Sequence, residues 1–583
     1  MQRPLPLLVA ATLCLIAGPL LADFPTGNPI GAAIPLSSFS VEVEDVLRIP
    51  NSSGQAPRLE GLVHGGVPGL AYVYDQRGAI YTFNPTDASP TPTLFFNIYS
   101  QVQNGNIGVQ TGLRGLAFHP DFNTPGAAGQ GKFYTAHSRN AFAAAVGSPK
   151  FFNSPPGLNH DSVIGEWSVD PNGVVVPSSY RELIRVGQPE NDHNVGEIGF
   201  NPNAAPGDPD YGNLYIALGD GGGVGNPNNT AQNISINAAG SGGKGFPHGS
   251  LLRVNPLASG GNPFTVPSDN PFVGQADVIQ EVWAYGLRNP HNFDWDSVTG
   301  KMLIADIGQA NVEEINLGVA GANYGWSVSE GTFRVVNANV VDNLPVDHPA
   351  DPYTYPVAQY DHDLNNNNQP DGLIAVAGGP VYRGEALPGL TGRYLFGDFA
   401  QGGALYSVGV GDLELRDDLT NVGQYSGGHL APISELRLTR GGSPTTLLAI
   451  IRNASQNFGL SRTDVRIAAG PDGEVYLLNK HDGMVRRLAS ITGVLPGDFN
   501  NDGAVDAADY TVWCDHVGAP SGTLPNDPEG GVIGQSQYEL WRANFAAAAQ
   551  AATAASVPEP ATATLLAAFG AIAALGIRRR QAA

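Results

Sequence analysis

The chain has 583 residues, too many for one small core, and its 53 acidic against 30 basic residues leave a formal net charge of −23. That balance argues against a nucleic-acid binder, which needs a basic footprint. With 75 Gly and 46 Pro but only 14% charged residues, the composition argues against a helical bundle and suits many short strands joined by tight turns.

In chain order, residues 1–22 (MQRPLPLLVAATLCLIAGPLLA) combine Arg3, an apolar run and a small residue at Ala22. This is the pattern of a secretory signal peptide, and Pro4, Pro6 and Pro19 argue against an uncleaved anchor. Cys14 lies inside it, so Cys514 is left alone and the mature chain is expected to form no internal disulfide.

Between Val41 and Leu488 no long stretch has a helical period. Instead a short apolar or alternating run recurs behind a glycine: GLAYVYDQRGAIYTF (69–83), GKFYTAHS (131–138), GNLYIALGD (212–220), GKMLIADIG (300–308), GRYLFGDF (392–399) and GEVYLLN (473–479). Their β-branched and aromatic residues favour strands. A repeat every roughly 60 to 90 residues predicts blades about an axis with large insertions, a pair of β-sandwich domains being the alternative. The insertions 140–157, 221–247 and 335–356 read as loops. The run DHDLNNNNQPDG (361–372) imitates a calcium loop but lacks its turn glycine and final carboxylate, and reads as a solvated loop.

After Leu488 the composition changes. GDFNNDGAVDAADYTVW (497–513) sets Asp498, Asn500, Asp502, Asp506 and Asp509 at the oxygen-ligand positions of a calcium loop, with Gly503 at the turn. It resembles the first half of a dockerin module, which implies that Ala504 contributes its carbonyl. The second half (526–545) has Gly534 and Gln537 in place of two of the acids, so one calcium site is expected there. The last residues pair VPEP with an apolar run and Arg578-Arg579-Arg580. This resembles the PEP-CTERM sorting signal and implies an exosortase-type partner, with membrane contact only through the tail and a plain anchor as the alternative. The expected divisions are a signal peptide (1–22), a strand-rich region (23–490), a small helical calcium module with linker (491–555) and a sorting helix (556–583).

The chemistry is expected in GQPENDHNVGEIGF (187–200), which places His193 between Asp192 and Asn194 ahead of a strand ending in Asp220 and three glycines. Loop-like segments QTGLRGLAFHPDF (110–122), EVWAYGLRNPHNFDWD (281–296), ADIGQANVEEINLGVAGANYGW (305–326) and GGPVYRG (378–384) accompany it. Together they resemble the soluble glucose/sorbosone dehydrogenases, aldose sugar dehydrogenases that use pyrroloquinoline quinone (PQQ). The resemblance spans roughly 41–488. It implies an all-β, six-bladed β-propeller with the cofactor at one mouth of its axis.

By that resemblance His193 is the base, Arg288 the fixed cation at the quinone oxygen, Asn289 and Asp192 cofactor contacts, and Gln110 a pocket residue. Gly308 and Gln309 form the turn whose carbonyls would meet a calcium ion. Histidine suits a base that must be neutral near pH 7, and arginine a cation that cannot lose its charge. An aldose substrate and an external electron acceptor follow as partners. The pattern departs at Gln401, where the best-known members have a lysine for a PQQ carboxylate. Arg462 and Arg466 lie near the family's carboxylate-binding arginines but out of register. The competing expectation is therefore a non-catalytic extracellular propeller that binds carbohydrate or protein.

Overall fold

The structure, a computed structural model, describes residues 29–552 except 52–53, 103–106, 109, 338, 344–352, 365–370, 372–373, 401, 416–429, 494–495, 501–504, 521–522, 525 and 528–530. The signal peptide, the sorting tail, Gln401, Asp502, Ala504 and most of the asparagine-rich run after Leu364 lie outside the described residues.

Short strands dominate, and most fall into antiparallel groups of four that follow one another along the chain. The first joins Leu59–Val63, Ala71–Asp75, Ala79–Phe83 and Thr93–Asn97. The second joins Leu113–Phe118, Lys132–Asn140, His160–Val169 and Val175–Gln188, with Lys150–Phe152 at its edge. The third is Val195–Phe200, Leu214–Leu218, Ser250–Val254 and Val282–Tyr285. The fourth is Pro290–Trp295, Met302–Asp306, Val312–Leu317 and Ala358–Asp361. The fifth is Val376–Ala377, Arg393–Asp398, Leu405–Gly409 and Ser434–Arg440. The last takes Arg466–Ala469, Val475–Leu478 and Met484–Gly493 from the end of the strand-rich region and Leu36–Arg48 from its beginning. Leu36–Arg48 runs antiparallel to Met484–Gly493, with Val43 opposite Leu488, and parallel to Ser434–Arg440.

Each glycine-led run singled out in the sequence supplies the second strand of its group. Leu214–Leu218 and Met302–Asp306 bury every residue, which is why they read as continuous apolar runs and not as alternation. The first strands stand side by side: Leu59–Val63 by Leu113–Phe118, then Val195–Phe200, then Pro290–Trp295. Arg466–Ala469 returns to Leu59–Val63, so the succession of groups closes on itself. The core is divided accordingly, with an apolar cluster between each neighbouring pair. The closing one sets Leu59, Val73 and Phe83 against Tyr476, Leu478 and Val485. Each such side chain contributes roughly 1.5–3 kcal/mol by leaving water.

Three expectations need correction. Residues 140–157 are not all loop, since Lys150–Phe152 pairs in parallel with Ile184–Val186. Residues 335–356 are not simply a loop: Phe333–Asn337 pairs with Val340–Asn343 as a hairpin, because Phe333 and Val341 bury against Ile30 and Val312. A nine-residue helix, Leu447–Ser455, also interrupts the strands, capped by Thr446 and packed through Leu447, Ile450 and Ile451. Beyond the strands, helices Ala507–His516 and Gln535–Ala552 enclose a small core of Phe499, Val505, Leu524, Ile533 and Trp541. Among the expected calcium ligands, Asp506 caps the first helix through the Ala508 amide. Asp509 accepts from the amides of Asn500 and Asp506. No group of three metal-ligating side chains occurs among the described residues, and no helix there is long and apolar enough to cross a membrane.

Candidate active site

The site forms where first strands begin and second strands end, at one mouth of the closed ring. His193 precedes the strand Val195–Phe200 and has a φ of 49°, a left-handed conformation uncommon outside glycine. Three contacts hold it. Its amide donates to Gln110 Oε1 at 2.8 Å, the Gly219 amide donates to the Asn194 carbonyl at 3.0 Å, and the Gly221 amide donates to the His193 carbonyl at 3.3 Å. Gly219 cannot carry a side chain, since a Cβ would lie 2.5 Å from the His193 carbonyl oxygen. The turn sends the imidazole inward, with His193 6% exposed, and leaves Asp192 exposed over Gly222. The two neighbours are therefore separated by a bend, not by strand alternation.

Asp220, at the end of Leu214–Leu218, pairs with His193 Nδ1 at 2.7 Å. Its other oxygen accepts from Trp326 Nε1 at 2.8 Å. Burial works against the Asp220 charge, but His193, Arg288 and the Trp326 hydrogen bond together hold its carboxyl below the usual range. With Nδ1 engaged, Nε2 of His193 has no hydrogen-bond partner among the described residues. That nitrogen is the one available for proton transfer.

Arg288 closes the same mouth. Its carbonyl accepts from the Asp220 amide at 2.7 Å, and its guanidinium lies 5.5 Å from the Trp326 ring centre. Asp306 shapes the loop: its carboxylate receives the amides of Arg288 and Asn289 at 2.9 and 2.7 Å. Burial pushes Asp306 up to about 7, with the two amides and Arg288 working the other way. No carboxylate among the described residues lies within ion-pair distance of Arg288, so it is not an ordinary inter-strand ion pair. Its Nη1 donates to the carbonyls of Ile307 and Gly308 at 3.0 and 2.6 Å, while Nε is buried without a partner.

Gly308 and Gln309 form the turn after Met302–Asp306, where a Cβ at Gly308 would strike the Val312 carbonyl at 1.8 Å. Glu330 fixes this turn by accepting four consecutive amides, Gln309 to Val312, on one oxygen at 2.8 to 3.1 Å. Gln309 Oε1 receives the Gly225 amide at 2.6 Å and ties the turn to the glycine-rich loop after Asp220.

The structure thus brings together Gln110, His193, Arg288, Asn289, Gly308 and Gln309, with Asp192 at the rim. Sequence reasoning missed the roles of Asp220, Trp326, Asp306 and Glu330. Only Asp220 left a signal, a carboxylate between a buried strand and a glycine run. An anionic, planar cofactor suits this donor set, since the Arg288 guanidinium keeps unused capacity and carries no paired carboxylate. A cation at Gly308 fits less well, because Arg288 already occupies that carbonyl. Arg466 is committed to Glu60 at 2.7 Å, and Arg462 pairs with Asp464. Both arginines lie over the Phe399 ring.

The site therefore combines an imidazole oriented by a buried carboxylate with an arginine that has no ion-pair partner among the described residues, on a mostly-strand scaffold. Residues 76–424 match the glucose/sorbosone dehydrogenase family, and the chain belongs to it. Residues 556–580 match the PEP-CTERM protein-sorting motif, the mark of an exported protein sorted at the cell envelope. The HIPL1 protein of Arabidopsis thaliana is 28% identical over 389 residues, 59% of this chain and 49% of that protein. The chain therefore spans about half the length of the curated relatives it matches. Quinoprotein glucose dehydrogenase B of Acinetobacter calcoaceticus is 28% identical over 261 residues, 43% of this chain and 46% of that protein. The PQQ-bound aldose sugar dehydrogenase from Streptomyces coelicolor covers 77% of this chain and 98% of its own, at 16% identity and a TM-score of 0.44.

Proposed function

We propose that this chain is an exported quinoprotein, a six-bladed β-propeller that oxidises the C1 hydroxyl of aldose sugars to lactones and passes the electrons to an external acceptor. One observation carries the reading: Asp220 holds His193 by Nδ1 and leaves Nε2 without a partner among the described residues. PQQ, when bound, supplies the quinone that accepts a hydride from the sugar carbon. Arg288, Asn289, Asp192, Gln110 and Gln309 would hold it. His193 Nε2 takes the hydroxyl proton, and Asp220 stabilises the imidazolium so formed. Arg288 keeps a fixed positive charge where negative charge develops, and Trp326 keeps Asp220 in place. No step is routed through calcium, since the Gly308 carbonyl accepts from Arg288.

The proposed divisions are 1–22, 23–490, 491–555 and 556–583, with the third a dockerin-like calcium module and the tail a substrate for an exosortase-type enzyme. A second reading, a non-catalytic surface propeller, draws on the commitment of Arg466 and Lys480 to Glu60 and not to an open carboxylate clamp.

Reconstitution of the purified protein with PQQ and calcium, followed by dye reduction with a panel of aldoses, separates the two readings. Turnover lost in His193→Ala is expected. Absence of both turnover and PQQ binding would overturn the enzymatic reading.

A further inference from the structure

At the end of the ring's axis away from His193 lies a cavity of about 390 Å³, lined by residues from the first strands of all the groups or their immediate continuations. That is the size of a site for a small organic molecule. Its inner end is Glu60 with Arg466, and its outer rim carries His64, Pro120, Asn201 and Ala204. Aromatic rings furnish much of the wall, among them Tyr74, Phe118, Phe200, Phe293 and Trp295.

Two carboxylates on adjacent first strands, Glu197 and Asp294, line this cavity. Glu197 receives the Asn292 amide at 2.8 Å and Asp294 the Trp295 amide at 2.7 Å. Neither has a cationic partner within ion-pair distance among the described residues. Arg466, the cation closest in the lining, is spent on Glu60. Both acids sit deep in the protein, yet each keeps some accessible surface, and the cavity is what that surface meets. Burial pushes each of them up to about 7, so each is poised to take up a proton, and a cation in the cavity would favour the ionised form.

Arg466 is the one arginine or lysine among the described residues of the wall, and its guanidinium is bonded to Glu60. Burial also lowers the pKa of His64 and His119, which favours their neutral forms. His119, 2% exposed, has an Nε2 with no hydrogen-bond partner.

We infer that this axial cavity is a binding site for a small organic cation bearing primary ammonium groups, held by Glu197 and Asp294 and enclosed by the aromatic wall. The chemistry selects the class. A primary ammonium donates to both carboxylates and to a neutral imidazole, and aromatic faces attract it further. A divalent metal is disfavoured, because no set of three His, Cys, Asp or Glu side chains able to hold one occurs among the described residues. A neutral sugar would bring hydrogen bonds but no positive charge to either acid. The site stands apart from the proposed dehydrogenase mouth, with the Glu60 cluster between them.

The test is calorimetric titration of the full chain with 1,4-diaminobutane, alongside 1,4-butanediol and calcium chloride. Saturable binding of the diamine is expected, with the diol at least tenfold weaker. The variant Glu197→Gln/Asp294→Asn should lose at least tenfold in diamine affinity while His193→Ala binds it normally. Equal binding of diamine and diol would overturn the inference without recourse to any variant. So would a folded double variant that binds as tightly as the parent, or calcium that displaces the diamine.

Discussion

Two buried sets of charged groups lie a few residues apart along the same inner strands. Around Glu60, Arg114 and Arg466 donate to one carboxylate oxygen and Lys480 forms an ion pair with the other at 2.7 Å, while His291 touches both arginines. Burial works against the Glu60 charge, but the three cations outweigh it and hold its carboxyl well below the ordinary range. Around His193 the balance is different. Asp220 is fully engaged, but Nε2 of His193 and Nε of Arg288 are not. The first set is closed on itself, each of its side chains meeting another of the set, and it stiffens the ring. The second keeps capacity in reserve for something the protein does not itself supply. In one fold, and within two residues of chain between Asn289 and His291, a charged set closed on itself marks structure and one left open marks function.

That contrast can be broken or sharpened. The largest effect is expected at the incomplete set: His193→Ala should lower kcat of the reconstituted enzyme about 10²- to 10⁴-fold, the usual worth of a general base. Its denaturation midpoint should fall as well, because the buried Asp220 loses a partner that holds its charge, so the decisive reading is turnover of the folded variant, and intact turnover would reverse the assignment.

Next comes the closed set around Glu60. Glu60→Gln leaves three buried cations without their carboxylate and should cost about 3–5 kcal/mol in urea unfolding. Its pH dependence has a definite sign. Because the folded-state pKa is depressed, the stabilisation is fully present above the ordinary carboxylate range near 4 and is lost as pH falls below it. The parent should lose this increment on acidification while Glu60→Gln does not.

Asp220→Asn should reduce turnover on the order of 10- to 100-fold by releasing the imidazole, with pH–rate profiles separating it from a mere packing defect. The smallest effect belongs to the exposed pair Arg487–Glu44, 3.1 Å apart with side chains 42% and 50% exposed. Arg487→Ala should cost under about 1 kcal/mol, and a larger loss would mean that contact geometry alone, not burial, sets the cost at Glu60.

These two sets were unequally legible in the sequence. The all-β character and the second strand of each group were visible, because glycine-led runs of Val, Ile, Leu and Tyr follow from a strand buried on both faces. His193 and Arg288 were visible only through a family resemblance, and their partners were not. Asp220 lies 27 positions from His193 and Trp326 lies 106 from Asp220, so nothing local couples them. Glu60 gave no signal at all, since a lone glutamate in LEGLV reads as a solvent-facing strand residue. The hairpin at Phe333–Asn343 was missed because Gly, Asn and Asp around it imitate a loop, whereas its buried Phe333 and Val341 decide the outcome.

The strand Leu36–Arg48 has a consequence for how the molecule forms. It is emitted first during synthesis, yet both of its neighbours, Ser434–Arg440 and Met484–Gly493, lie some 400 residues later. Until they arrive, it has two open hydrogen-bonding edges and no partner. Pairing at that separation is slow and favours collapse onto other chains. The expected order is therefore translocation of a largely open polypeptide, assembly of the middle groups, and a late clasp of the two ends, with the clasp as the step most exposed to aggregation.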